Sequence, residues 1–440
     1  MHLKTFKGGI HPFEGKGSSK DKPIKEIADS DEMVFPLSQH IGGEAKPLVQ
    51  KGDYVKRGQT IGQINGFISS NIVSSVSGTV KSIEPRLTAS GIKVDSIIIE
   101  NDHQDIENFV YINRDYKNLS RKDILRSIED AGIVGLGGAG FPTHVKVNPK
   151  DYKDIKYLLI NGAECEPYLT SDYRMMLEMS EDIINGIEIE LSLFPNAQAI
   201  IGIEDNKPDA IEALQKATQN HPKITIQTLK TKYPQGGERS LIYVLTGKKI
   251  YSKMLPSDVG VIVDNIATLK AINDAVIHNL PLMNRILTFT GDAIKNPCNL
   301  LVRIGTSYKE ILDNIGGLKC EASKMISGGP MMGNALFSLE IPVTKNSSSL
   351  LCLSEDEVSL HEPTACIHCG RCVEVCPSRI VPQLMYKYAL KSDREGFLKV
   401  DGMECIECGC CTYVCPAKRN MTQSFKKIKR QIASSNRKKA

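Results

Sequence analysis

CIHCGRCVEVCP, Cys366–Pro377, recurs as CIECGCCTYVCP, Cys405–Pro416. Each run places three cysteines at two-residue spacing and a fourth three residues later, before proline. Soft thiolates at that spacing wrap three corners of an iron–sulfur cubane in one loop, while the pre-proline cysteine reaches the other cluster. The pattern predicts one 4Fe–4S cluster on Cys366, Cys369, Cys372 and Cys415. A second is expected on Cys405, Cys408, Cys411 and Cys376. Structural zinc fits poorly, because zinc prefers four ligands supplied as two pairs. Cys410, inside the second loop, reads as a packed thiol, and the scattered Cys165, Cys298, Cys320 and Cys352 read as core residues.

The rest of the chain agrees with a redox role inside a cell. It has 440 residues and 13 cysteines, nine of them between Cys366 and Cys415. The opening MHLKTFKGGIHPFEGK has no apolar stretch behind a basic head, so no signal peptide is expected. Apolar runs such as Val259–Ile266 are short and broken by Asp264, below the ~18 residues that spanning a bilayer requires. A net charge of +4 gives no global basic field for nucleic acid.

Residues 1–30 are rich in Gly, Lys and Ser and read as an arm. Between 31 and 105, short β-branched runs such as SSNIVSSVSGTVKSIE and KVDSIIIE alternate with turn signals, which predicts a small all-β unit. Between 106 and 285, strands at Tyr157–Ile160, Ala197–Glu204 and Val259–Val263 alternate with helical stretches, including Glu238–Leu245. That alternation predicts an α/β domain with a largely parallel sheet. Residues 286–350 open with two strands and a helix starting near Ser307. The cysteine-rich module covers 351–420, and a basic tail covers 421–440. In the tail, Met421, Phe425, Ile428 and Ile432 form one apolar stripe among lysines and arginines that extend to Arg437, Lys438 and Lys439. Such a helix suits anionic lipid or an acidic partner, and a frayed solvated tail suits the same sequence.

GLGGAGFPTHVK, Gly135–Lys146, puts glycines where backbone turns tightly and approaches another group, and its free N–H groups suit a phosphate. Asn161–Pro167 follows an apolar strand, and Asp264–Thr268 follows another. The carboxyl ends of strands are where open α/β sheets bind ligands. Tyr233-Pro-Gln-Gly-Gly-Glu238 opens a helix between them.

These four segments, in this order, resemble the flavin- and NADH-binding subunit of respiratory complex I and related hydrogenases. The resemblance implies that Gly135, Gly137, Gly138, Lys146, Asn161, Glu164, Tyr233, Gly236, Asp264, Asn265 and Thr268 hold FMN. It implies that Phe141 stacks on the adenine of NADH, and that Glu166 and Glu238 contact its nicotinamide amide and ribose. Leu136, Ala163 and Gly237 depart from the arginine, aspartate and glutamate of that family. NADH gives two electrons as hydride and a cluster accepts one, and a flavin joins the two chemistries.

Taken whole, with FKGGIHPFEGKG at the front and TFTGDAIKNP between flavin segments and cysteines, the chain is similar to the RnfC family of the Rnf complex. That resemblance implies a biotinyl/lipoyl-like β barrel-sandwich, a Rossmann-like FMN/NADH domain, a β-grasp (SLBB-type) unit and a two-cluster ferredoxin-like domain. It implies a peripheral subunit on the cytoplasmic side of the cell membrane. There it would work with membrane-bound and iron–sulfur subunits, and indirectly with ferredoxin, in ion-translocating ferredoxin:NAD oxidoreduction. The tail would then help hold the chain to the membrane-embedded subunits. The barrel-sandwich lacks a carrier lysine at its expected tip, Gly66-Phe67-Ile68, so a docking or scaffold role is expected of it. Alternative readings are a cobalamin reductase of a bacterial microcompartment and an iron–sulfur relay subunit with a decayed nucleotide site.

Overall fold

Four apolar segments form a parallel sheet in the order Ile224–Leu229, Gln198–Glu204, Tyr157–Asn161, Val261–Asn265. This computed structural model describes residues 3–437, so Lys438 and Lys439 lie outside the described residues. Strand alternation divides the sheet's side chains between two cores. Leu158, Ile160, Ile201 and Ile203 pack with the helices Ser180–Ser192 and Ile266–His278. Leu159, Val261 and Val263 pack on the opposite face against Leu241, Ile242 and Leu245 of the Glu238–Thr246 helix, joined by Phe6. Burial on both faces explains why these strands read as continuous apolar runs. The Ile266–His278 helix starts directly from its strand because Asn265 caps it, accepting the Ala267 N–H at 2.9 Å. Asp264, Asn265 and Thr268 are thereby set at the carboxyl edge of the sheet.

Two small sheets build the barrel-sandwich. One runs Glu32–Pro36, Lys93–Asn101, Gly78–Leu87, Tyr54–Val55, and the other Lys46–Pro47, Thr60–Gln63, Ile72–Val73. Met33, Phe35, Val55, Ile61, Ile72, Ile97 and Ile99 are fully buried between them. At the tip, Phe67 stands exposed beside Gly66.

The next sheet is six-stranded and departs from the expected boundaries. Its order is Ile24–Glu26, Cys298–Arg303, Asn284–Thr290, Ser349–Leu353, Lys324–Ser327, Asn334–Leu336. The arm thus supplies an edge strand, paired in parallel with Asn299–Leu301. The boundary expected at 350 cuts through a strand. Cys298 and Cys352 are buried in this unit's core, whereas Cys320, expected in a core, is exposed.

The tail is also corrected. Met421–Arg437 is one helix, and Met421, Phe425, Ile428 and Ile432 are buried against Met385, Tyr386, Ala389 and Phe397 of the cysteine module. The apolar stripe is consumed as core and is covered by protein, so it does not face lipid or another subunit. The tail lysines also serve the module: Lys429 Nζ donates to the Cys405 carbonyl at 2.7 Å and pairs with Glu407 at 2.6 Å.

Candidate functional site

The carboxyl edge of the parallel sheet collects many, though not all, of the residues that the flavin resemblance singled out. Gly135 N–H donates to the Phe141 carbonyl at 2.8 Å, closing the glycine-rich loop on itself. Leu136 is buried, its N–H donating to Thr268 Oγ1 at 3.1 Å and its carbonyl accepting from Arg285 at 3.1 Å. Both bonds run through the main chain of Leu136, which anchors the loop from behind. Lys146 Nζ donates to Asp264 Oδ1 at 2.8 Å and to the Val263 carbonyl at 3.0 Å. Asn265 Nδ2 donates to Asp172 Oδ2 at 2.7 Å, and Asn161 Nδ2 donates to the Gly236 carbonyl at 2.9 Å. Glu164 Oε1 accepts the Asp172 N–H at 2.7 Å.

The residues at this edge suit a flavin mononucleotide. A Cβ on Gly138 would stand in open space, whereas one on Gly137 would lie 2.6 Å from the Asn265 side chain. Buried polar atoms without a hydrogen-bond partner stand on the loops at this edge: Glu164 Oε2 and both amide atoms of Gln235. Buried polar groups are ordinarily satisfied, so such a group of orphans suits a polar ligand. The two glycines make separable predictions. Gly138→Ala should leave the melting temperature unchanged and abolish FMN uptake, because the methyl occupies ligand space. Gly137→Ala should lower the melting temperature itself. Calorimetry with flavin titration checks both, and unaltered FMN uptake by Gly138→Ala would remove that glycine from the site.

Several expected ligand-binding residues sit elsewhere than in the open cleft. Tyr233 is fully buried, and its hydroxyl donates to the Cys408 carbonyl at 2.8 Å. Glu166 is half-buried, and its Oε2 accepts the Met331 N–H at 3.2 Å from the loop that crosses from the six-stranded sheet. Glu238 is exposed at the start of its helix, and Phe141 is half-buried at the far side of the glycine-rich loop.

Burial pushes the Glu166 carboxyl up from 4.5 to about 7, with the Met331 and Met332 N–H groups opposing it. The folded chain keeps a proton that the unfolded chain has released between those values. Glu166 therefore contributes stability below the lower value that is lost as pH rises through the upper one. Glu166→Gln should gain melting temperature relative to the parent between about pH 5 and about pH 7.5. A constant offset across that range would contradict the burial.

Sequence reasoning missed Lys16, which holds the acidic loop from the arm. Its Nζ donates to the carbonyls of Glu164 at 2.9 Å, Glu166 at 3.0 Å and Leu169 at 2.5 Å, and lies 3.7 Å from Glu164 Oε2. Lys207 supports the same loop, donating to the Ala163 carbonyl at 2.7 Å. The lysine inside the glycine-rich opening FKGGIHPFEGKG was the available signal, but contacts 148 to 153 residues away leave no local pattern.

The eight cysteines expected as ligands line two separate cavities. One is bounded by Cys366, Cys369, Cys372 and Cys415, the other by Cys376, Cys405, Cys408 and Cys411 together with Cys410. Each expected ligand set takes three thiols from one run and the fourth from the other. Among the described residues, no three metal-binding side chains close around a single ion. Cys408 and Cys411 are buried, while Cys369 is exposed with Ile367 and His368 at the rim of the other cavity. Cys410 is fully buried with Tyr233, Ile10 and Cys408, with Cys165 packed at their edge.

Comparison with known proteins gives four family models in series. They are the RnfC barrel sandwich hybrid domain over 4–104, the Nuo51 FMN-binding domain over 128–274, the SLBB domain over 286–335 and the 4Fe-4S dicluster domain over 359–416. The chain is similar to the C subunit of the proton-translocating ferredoxin:NAD(+) oxidoreductase complex of Clostridium ljungdahlii. They are 46% identical over 87% of this chain and 84% of that one. It is 43% identical to the C subunit of the Na(+)-translocating ferredoxin:NAD(+) oxidoreductase complex of Acetobacterium woodii, over 100% of both. Among solved structures, an NAD+-reducing [NiFe]-hydrogenase in the H2-reduced state shares the fold at 16% identity. Its TM-score is 0.50 over 73% of this chain and 62% of that one. Identity at this level along the whole chain places it in the RnfC family, the C subunits of ion-translocating ferredoxin:NAD(+) oxidoreductase complexes.

Proposed function

We propose that the chain passes electrons between NAD(H) and the rest of an Rnf-type complex. The route runs through FMN at the Gly135–Lys146 loop and then through two 4Fe–4S clusters. FMN supplies the exchange between a two-electron hydride and single electrons. The chain's own residues bind and orient. Gly135, Gly137, Gly138, Asn161, Gly236, Asn265 and Thr268 would hold the flavin, with Lys146 and Asp264 beneath the loop. Glu164 would join them at the flavin, and Glu166, Glu238 and Phe141 would take NAD(H).

One observation carries the reading: the flavin-side loop and the inner cysteine cavity are a single packed unit. Tyr233 reaches Cys408 at 2.8 Å, and three residues on, Gly236 N–H donates to Cys165 Sγ at 3.3 Å. Electrons would enter the cluster on Cys376, Cys405, Cys408 and Cys411 first. The cluster on Cys366, Cys369, Cys372 and Cys415, with its exposed rim, would then face the neighbouring subunits of the complex.

No described helix is long and apolar enough to cross a membrane. The chain would sit on the cytoplasmic side, held by the complex's other subunits. One similar relative is named for protons and the other for sodium at nearly equal identity. We therefore assign ion choice to those other subunits. Anaerobic purification with NADH and ferricyanide tests the proposal. The expected result is about one FMN and about eight irons per chain, with NADH-dependent ferricyanide reduction. Eight irons without flavin and without NADH oxidation would leave an iron–sulfur relay.

A further inference from the structure

The Ser180–Ser192 helix buries Ile183, Ile184, Ile187, Ile189 and Leu191, as its apolar face requires, but Glu190 is buried with them. Its exposure is 0%, and neither carboxyl oxygen has a hydrogen-bond donor. An unpaired carboxylate in such a place is strongly disfavoured. The group its carboxyl meets is another acid, Asp264. Asp264 is itself buried, gives Oδ1 to Lys146, and leaves Oδ2 without a donor. Two facing carboxyl groups do not both ionise, and one proton between them satisfies an orphaned oxygen on each. Lys146 completes the row. Its Nζ lies 3.5 Å from where a Cβ on Gly135 would stand, directly under the glycine-rich loop.

We propose that Glu190 is held as a neutral carboxylic acid donating to Asp264, and that the two acids together position the Lys146 ammonium for the flavin. The inference rests on the flavin reading of that loop. Burial, and then the Asp264 charge, push Glu190 well above the ordinary carboxyl range, with Lys146 opposing them. Burial works to lower Lys146, but Asp264, with smaller help from Glu190 and Glu238, carries the net shift upward. Glu238, on the helix across the cleft, is the further charged group acting on Lys146 and Asp264. With Glu190 protonated the triad is neutral; with Glu190 ionised it would leave a negative charge beneath the site. Glu190 is thus a positioning residue, acting through Asp264 and Lys146.

The arrangement separates two substitutions. Glu190→Gln keeps a neutral donor to Asp264, whereas Glu190→Leu removes it. In the flavin-free protein at neutral pH, infrared spectroscopy should show a protonated-carboxyl band that both variants lack. FMN affinity of Glu190→Gln should stay within about twofold of the parent, and its flavin midpoint potential should be unchanged. Glu190→Leu should bind FMN at least about tenfold more weakly. Absence of the band, a shifted potential in Glu190→Gln, or equal affinities for the parent and Glu190→Leu would each overturn the proposal. If the parent takes up no FMN, the flavin reading fails, while the infrared band still decides the proton.

Discussion

Replacing Cys408 with alanine is expected to lower the iron content from about eight to about four per chain. It should stop electron delivery beyond the flavin while NADH still bleaches the flavin at an undiminished rate. The asymmetry follows from position. Cys408 belongs to the inner cavity, and its carbonyl meets Tyr233 of the flavin-side loop. A thiol missing there removes the link between hydride chemistry and single-electron transport, yet touches none of the glycine-rich loop. Cys369→Ala, at the exposed rim of the outer cavity, should spare reduction of the inner cluster. Stopped-flow absorbance with iron analysis separates the two variants. Equal loss of inner-cluster reduction in both would reverse the assigned order.

Lys16→Met should lower the melting temperature and abolish retention of both flavin and NADH. The Lys16 ammonium gathers three carbonyls of the loop that carries Glu164 and Glu166. Losing it leaves those carbonyls and the 3%-exposed Glu164 side chain without their donor and countercharge. Breaking a buried pair of this kind costs about 3–5 kcal/mol. The same arm also joins domains. Gly9 N–H donates to the Val375 carbonyl and Ile10 exchanges backbone bonds with Tyr233, all at 2.8–2.9 Å. Gly9 has φ +75°, and a Cβ there would lie 2.6 Å from the Tyr233 carbonyl, so the arm has no room for a side chain at this point. Glycine alone adopts such a conformation without penalty. Thermal melts and cofactor analysis of Lys16→Met check the expectation, and a variant with normal flavin content would show the arm to be ornamental.

The cysteine sets were legible because their geometry is local. Spacing alone pairs Cys376 with the second run and Cys415 with the first, and the inner cavity adds Cys410, which the spacing does not use. The parallel sheet was legible for a similar reason, since strands buried on both faces must be apolar throughout. The glycine-rich loop could be read as a backbone device, but its supports could not. Lys16 and Arg285 act across 148 to 153 residues, and Glu190 acts through a buried partner on another element. Each looks like an ordinary charged residue in sequence. The tail was misread because a basic amphipathic stripe has the same period whether it meets lipid or protein. Only the packing of Phe425 on Phe397, with ring centroids 6.1 Å apart, shows which. Boundaries were least legible where the arm's Ile24–Glu26 joins a sheet built mainly of residues 284–353.

The most direct test of the central claim is rapid anaerobic mixing of the iron-loaded, flavin-loaded chain with NADH, following flavin and cluster absorbance together. Flavin bleaching should come first, and cluster reduction should follow at its expense. Clusters reduced by NADH with no preceding flavin change, or no reduction of either, would contradict it.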